Sequence, residues 1–437
     1  MIQKTFKYIS LSFFTSLFLP YIFCCSTKTD NQHRNRDIRK IDGSNWYGLF
    51  GKFEEEDYII DENLQIVTYT SAKNLTYAIN LVLPNQVEYQ NNIYDVYFDK
   101  YTFSSFNIRG NLYLNKFMSD IPDYLFENCA YIENIYLQTK IRTVGKRSFS
   151  LCYALKSIEY AKDSIYANLP YQDIWMSMES IDINAFYYTA FNFNIYLSSN
   201  LQFLAAHAFD SCTKIKSVYF LDDCLSYQRS LPSNAFSNCW ALQYVLLNSS
   251  IVYICEEAFS GCSNLLTVDW KIYSNDVNVF IRYKAFYQCS KLQSINSLDE
   301  YGFSPYSIGE EAFNLAEELY IDDLNFQYKV CNFFKKTTFI GKYSFSGCKQ
   351  IKSIKLTNDD LIISSFAFAN CTYLNQIDFS HFREFYFPVS TIGIFEGISQ
   401  YGTFYLSRYS HYAKIIEDLY SQMNNKEINS WNIVFVD

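Results

Sequence analysis

Basic charge is in short supply in this chain, glycine and proline are scarcer, and histidine is nearly missing. Against 45 Asp and Glu stand 36 Lys and Arg, with 13 Gly, 7 Pro and 4 His in 437 residues. A net charge of −9 argues against nucleic acid as a partner, because phosphate binding needs basic patches that release counterions. The nearest thing to a basic run, Arg34 to Lys40, is interrupted by Asn and Asp and reads as a solvated linker. So few glycines and prolines leave little room for flexible linkers. The chain has no glycine-rich phosphate loop, no H-E-x-x-H, no G-x-S-x-G and no C-x-x-C, so the usual nucleotide, zinc and nucleophile signatures are missing. Beyond the first 25 residues no apolar stretch reaches the ~20 residues that span a bilayer, which excludes a multi-span membrane protein.

What is present is apolar and aromatic. Hydrophobic residues make up 49% and charged residues 19%, so a core must form. The aromatic side chains include 40 Tyr and 39 Phe. The N-terminus carries Lys4 and Lys7, then a largely apolar run from Tyr8 to Cys25, then small residues around Cys24-Cys25-Ser26. That order is expected of a secretory signal over residues 1–25, the alternative being an uncleaved signal anchor. Removing it takes the net charge to −11.

One frame recurs along the chain: an aliphatic, three variable residues, a small residue, Phe, then Cys three later, Leu or Ile six later and Ile or Val nine later. Ile254 to Trp270 and Ile363 to Phe379 show it cleanly. Its phenylalanines are Phe103, Phe126, Phe149, Phe186, Phe209, Phe236, Phe259, Phe286, Phe313, Phe345, Phe368 and Phe395. Five of the eleven separations are 23 residues and the longest is 37, so longer copies are the same unit with insertions. Residues nine and eleven after nearly every Phe are apolar, the period-2 mark of a short strand. The small-Phe-x-x-Cys-x-x-Leu part has spacing near three to four, which predicts a turn of helix or 3-10 structure. One such unit cannot bury its apolar face alone, whereas stacked copies can. Twelve rungs about 4.8 Å apart would extend roughly 55–60 Å.

The frame I-G-x-x-A-F-x-x-C-x-x-L-x-x-I-x-L resembles the BspA-like family of leucine-rich-repeat surface proteins, with Ile308-Gly309 to Phe313 and Ile340-Gly341 to Cys348 nearest to it. Leu83 to Val96 looks like that family's entry hairpin, turning at Gln90 to Asn92. The resemblance covers residues 58 to 410. It implies export to the surface, adhesion to host or matrix proteins, and no catalytic residues. The expected fold is an α/β repeat solenoid: a right-handed leucine-rich-repeat coil with a parallel β-sheet on one face and short helical or 3-10 turns on the other. The expected segments are a signal (1–25), a polar linker (26–57), an N-terminal cap with the hairpin (58–102), about twelve repeats (103–410) and a C-terminal cap (411–437). In that cap a helix with Tyr412, Ile415, Ile416 and Leu419, and a strand near Ile433 to Val436, are expected to hide the edge of the last rung. The frame departs at Thr189, at Ala316 and at Asp322, where a local slip over 319–332 is expected.

Eight cysteines (Cys129, Cys152, Cys212, Cys239, Cys262, Cys289, Cys348, Cys371) share one frame position, which favours a ladder of buried free thiols, although neighbouring rungs leave some disulfides open. Cys224, Cys255 and Cys331 are out of phase. The scattered histidines, with His207 in a presumed helical turn, suggest no catalysis. The acids Glu54 to Asp57 read as a solvated face, and the pairs Asp222-Asp223 and Asp359-Asp360 as turn residues, so no metal or other cofactor is expected. Asn74 and Asn248 sit in N-glycan sequons; Asn370 does too, but its neighbour Cys371 belongs to the thiol ladder.

Residue ten after each Phe should point outward between two inward residues. That row runs Tyr113, Tyr136, Glu159, Tyr196, Tyr219, Leu246, Asp269, Asn296, Asp323, Lys355, Asp378 and Tyr405. Tyr113, Tyr136, Tyr196 and Tyr219, joined by Tyr244 at position eight, form a candidate protein-binding stripe, followed by acids including Asp269 and Asp378. Cross-strand tyrosine pairs that merely stabilise the sheet are the competing account. The functional expectation is a secreted or cell-surface, monomeric protein that binds a host surface or matrix protein, touching membrane only through an N-terminal anchor. A structural or immune-decoy coat protein without a specific ligand is the alternative, and an enzyme a distant third.

Overall fold

The alternating apolar residues after each frame phenylalanine form strands that pair in parallel with the next copy. In this computed structural model the described residues are 47–51, 53–222, 224–271, 277–298, 303–321, 333–382, 391–409, 412–423 and 431–436. They lie in one unit, Ile41–Asp437; the other unit, Met1–Lys40, is outside the described residues, as are the signal expected over 1–25, most of the linker, Cys331, and Asp322 with most of the slip expected over 319–332. The fold is a parallel-sheet β-solenoid of about twelve turns.

Two ladders run along it. The longer strands form three sheets: Tyr47–Gly51, Leu75–Val82, Ile108–Tyr113, Ile132–Leu137 and Ser157–Tyr160; then Ile195–Leu197, Ser217–Phe220, Tyr244–Leu247, Thr267–Trp270 and Ser294–Ser297; then Ser353–Lys355, Gln376–Phe379, Gly402–Ser407 and Trp431–Val436. Only Tyr47–Gly51 pairs antiparallel within these three. Two-residue strands such as Thr143–Val144 and Tyr253–Ile254 form a second parallel ladder on another side of each rung. The inward residues of both ladders, such as Ile135, Val218, Val245, Ile254 and Ile281, are buried.

The frame phenylalanines stand in one column. All eleven successive ring pairs stack, with centroids 5.2–5.9 Å apart and ring planes within 3–17°. Around that column the expected helical face is not formed. The residues two before and two after Phe sit at positive φ, as at Glu257 (56°) and Gly261 (74°) flanking Phe259. A right-handed helix needs negative φ at every residue, so these segments are turns. Helix among the described residues is confined to a five-residue helix, Gln172–Met176, the twelve-residue Tyr412–Met423 and a three-residue 3-10 turn, Glu55–Asp57.

The left-handed residues stabilise the stacking. They turn alternate peptide planes the same way, so the N–H groups of Glu257, Phe259 and Gly261 donate to Tyr283, Ala285 and Tyr287 of the next rung at 2.9, 2.9 and 2.8 Å. The same bonds recur from Phe103 through Phe368. Each left-handed residue other than glycine costs about 1–2 kcal/mol, offset by a backbone donor satisfied inside the stack.

The N-terminal hairpin pairs Gln86–Tyr89 with Asn92–Phe98, and the turn residues Gln90 and Asn91 both have positive φ, as a two-residue type I′ turn requires. At the other end, Tyr412–Met423 buries Ile415, Leu419 and Met423 on one helical face. Its Gln422 terminates the turn ladder: the backbone carbonyl accepts from Phe395 N–H at 3.2 Å and Oε1 accepts from Ile394 N–H at 3.4 Å. Trp431–Val436 then adds a further parallel strand to Gly402–Ser407. The tail thus lies against the last rung through both its helix and its strand, and among the described residues that strand is the outermost of the sheet.

Candidate partner-binding face

Strand register sets which outward side chains meet. Tyr113 lies opposite Tyr136, Tyr196 opposite Tyr219, Leu246 opposite Asp269, and Asp378 opposite Tyr405. Tyr113 and Tyr136 stack with centroids 4.7 Å apart, and Tyr196 and Tyr219 at 4.6 Å with rings 4° from parallel. Tyr244 packs tilted on Tyr219 at 5.6 Å, and its hydroxyl donates to Asp269 Oδ2 at 2.8 Å. Face-to-face stacking covers much of each ring, so these tyrosines are half-buried and present mainly edges and hydroxyls. Burial first, then the Glu159 carboxylate and Tyr113, push the Tyr136 hydroxyl above its usual range.

The stripe is not continuous. The 37-residue step between Phe149 and Phe186 ends one sheet at Ser157–Tyr160 and starts the next at Ile195–Leu197. The inserted residues carry Gln172–Met176, which buries Ile174 and Trp175. Asp173 ties the insertion down, bonding Lys140 Nζ at 3.1 Å and accepting from the Tyr160 hydroxyl at 3.1 Å. Tyr171 then meets Tyr196 edge-on at 6.3 Å. The structure therefore groups Tyr113 with Tyr136, and Tyr171 with Tyr196, Tyr219 and Tyr244. Asp269 is already engaged by Tyr244 and by Asn296 Nδ2 at 2.9 Å, and Asp378 by Lys355 at 3.5 Å and by the Ser380 N–H at 2.8 Å. These two acids work within the sheet more than they present free charge.

Of the two sequons carried forward, Asn74 is exposed, its amide donating to Asp57 at 2.8 Å. Asn248 must be withdrawn. It is 1% exposed, and its Nδ2, where a glycan would attach, donates to the carbonyls of Leu221 at 2.6 Å and Cys224 at 3.0 Å. Asn115 stands at the same place two residues past the strand row and bonds Pro84 and Val96 alike. The Glu54–Asp57 run is also only partly solvated, since Asp57 is fully buried and accepts from Glu54 N–H at 2.9 Å.

All ten cysteines among the described residues are free thiols. At the eight frame positions each Sγ donates to the carbonyl of the preceding rung's frame phenylalanine, from Cys129 to Phe103 through Cys371 to Phe345, at 3.1–3.2 Å. Apolarity alone explained the position from sequence; the donor role was not visible there. Burial pushes the Cys152 and Cys212 thiols up to about 12 and raises the other six. Thiols so disfavoured as thiolates are poor nucleophiles and metal ligands. His207 pairs with Asp210 at 2.9 Å from a left-handed turn, and His381 with Asp359 at 3.3 Å. Among the described residues no group of three or more His, Cys, Asp or Glu is placed to hold a metal, and no helix is long and apolar enough to cross a membrane.

A second outward row escaped the sequence reading. Six residues before Phe, the short strands present Phe203, Tyr253, Phe280, Phe339 and Ile362. Tyr253 and Phe280 stack at 4.9 Å, with the Arg282 guanidinium 5.6 Å from the Tyr253 ring centre. Its signal was the inward aliphatic at position −5, which makes position −6 face out.

In sequence, residues 50–171, 179–320, 280–386 and 321–430 match the BspA type leucine-rich repeat region, in six copies. No curated protein is significantly similar. Among solved structures the chain is similar to a leucine-rich repeat protein from Bacteroides ovatus (18% identity, 87% of this chain and 98% of that one, TM-score 0.43). It is also similar to a leucine-rich cell surface protein from Faecalibacterium prausnitzii (16%, 88% and 94%, TM-score 0.33) and to the pneumococcal vaccine antigen PcpA (14%, 87% and 98%, TM-score 0.36).

Proposed function

The chain belongs to the BspA type leucine-rich repeat family, and from that premise we propose that it is a non-catalytic binding scaffold, secreted or held at the cell surface, that adheres to host or matrix proteins. The docking face in this reading is the tyrosine row on the long strands. The single observation that supports it is the clustering of Tyr171, Tyr196, Tyr219 and Tyr244 through ring contacts in one sheet, with the stacked Tyr113–Tyr136 pair in the sheet before it. Rings held by stacking lose little entropy on binding, and tyrosine edges and hydroxyls suit a protein surface. The leader-like N-terminus fits export, and Asn74 is then the glycan acceptor.

The test is saturable binding of the recombinant chain to immobilised host-cell surface and matrix proteins, compared with Tyr136→Ser, Tyr196→Ser and Tyr219→Ser combined. Loss of about tenfold or more in affinity, roughly 1.4 kcal/mol, is expected with circular dichroism unchanged. Undiminished binding removes the tyrosine row from the reading. No saturable binding across a broad panel favours a coat protein without a specific ligand.

A further inference from the structure

The sequon Asn370-Cys371-Thr372 has its middle residue in the thiol ladder, yet the fold sends its three side chains different ways. Cys371 points inward and donates to the Phe345 carbonyl at 3.1 Å, while Asn370 and Thr372 on either side of it are exposed. The motif asks of its middle residue only that it not be proline, so a buried thiol there is no obstacle. Asn370 lies two residues after Phe368 in the left-handed turn column, with Gly347 and Gly397 at the same place on the rungs before and after. Neither column neighbour carries a side chain to stand over the Asn370 amide. Its oxygen is the side-chain atom nearest Gly397, where a Cβ would come within 2.6 Å of Oδ1. The nitrogen has no partner among the described residues. Other asparagines of this column differ, since Asn128 Nδ2 donates to Ser105 and Asn238 Nδ2 to Ser237, both at 3.2 Å. Asn248 differs further, because its Nδ2 donates to two carbonyls and the residue is 1% exposed.

We propose that Asn370 is an N-glycan acceptor alongside Asn74, a role that rests on the export argued under the proposed function. In the step, Nδ2 bonds the anomeric carbon of the first sugar of a lipid-linked oligosaccharide diphosphate. The lipid diphosphate leaves and the amide gives up one proton, keeping the other. A bulky, hydrated sugar has to stay outside the finished coil. At Asn370 the attached nitrogen is exposed, owes no hydrogen bond to the stack and is flanked by glycines. At Asn248 the same sugar would replace a buried donor, leave a carbonyl unpaired and prise the rungs apart.

The experiment expresses the full chain in a secreting eukaryotic cell line and treats it with peptide-N-glycosidase in heavy-oxygen water. That treatment labels every asparagine that carried a glycan, and mass spectrometry reads the label site by site. Label is expected at Asn74 and Asn370 and not at Asn248. Thr372→Ala, a change at an exposed side chain, is expected to lose the label at Asn370 alone and one glycan's step in gel mobility. Absence of label at Asn370 overturns the proposal. If Asn74 is labelled in that sample, export stands and only the Asn370 assignment falls. If no site is labelled and no chain reaches the medium, the export reading falls with it. Label at Asn248 in folded chain from the medium also overturns the argument, because burial and amide pairing would then not sort the sequons.

Discussion

Along the row ten residues after each frame phenylalanine, the chemistry changes from rung to rung: tyrosine, glutamate, leucine, aspartate, asparagine, lysine. Along the phenylalanine row twelve rings repeat without exception, and the cysteine three residues on repeats at eight rungs. Both rows run through ladders of inter-rung backbone bonds, so bonding does not explain the contrast. Burial does. The phenylalanines and frame cysteines have no exposure and touch rungs on both sides, whereas the row-ten side chains rest on a finished sheet. The buried turn positions are held constant, and the strands' outward row is left to vary.

The sharpest way to break that comparison is Phe236→Ala. It removes a ring stacked on Phe209 at 5.2 Å and Phe259 at 5.9 Å, and should cost about 3–5 kcal/mol in a urea titration. A loss no larger than that of an outward tyrosine would show that the turns do not dominate stability.

The thiol ladder comes next, through its pH dependence. The frame thiols ordinarily ionise near 9, and burial raises Cys152 to about 12. A group whose pKa is raised by folding contributes stability that is whole below the unfolded value and lost as pH climbs toward the folded one. The urea midpoint should therefore fall between about pH 9 and about pH 12, while remaining flat between about pH 7 and about pH 8 as far as the thiols are concerned. Cys152→Ala should make that alkaline fall shallower. At neutral pH it should remove about 1 kcal/mol, the donor to the Phe126 carbonyl having gone.

The smallest expected effect is on the strand face. Tyr136→Ser removes one stacked pair, worth about 0.5–1.5 kcal/mol. If its stability cost matches that of Phe236→Ala, the row is structural and the docking role of Tyr136 loses its basis.

The features legible in the sequence were those set by period and side-chain size. The column of phenylalanines, the inward strand residues and the outward row followed from positions counted off one frame. The turn conformation did not, because spacing near three to four fits a helix and a chain of alternating left-handed turns equally well. A hint was present: six of the twelve residues two after Phe are Gly or Asn (Asn128, Asn238, Gly261, Gly347, Asn370 and Gly397), the types that best tolerate positive φ. Asn248 was misjudged for a related reason, since a sequon marks a chemical group and says nothing of its burial.

By itself the sequence determined that this chain stacks one repeated unit and which residues of each unit turn inward, because apolar periodicity is written into every copy. Only the tertiary structure decided that each frame thiol would donate to the rung before it, that the insertion after Phe149 would part the tyrosines into two groups, and that Trp431–Val436 would add a parallel strand to Gly402–Ser407. Those outcomes depend on which rung lies next to which and where a ladder stops, and neighbours across a stack are a property of the assembled coil.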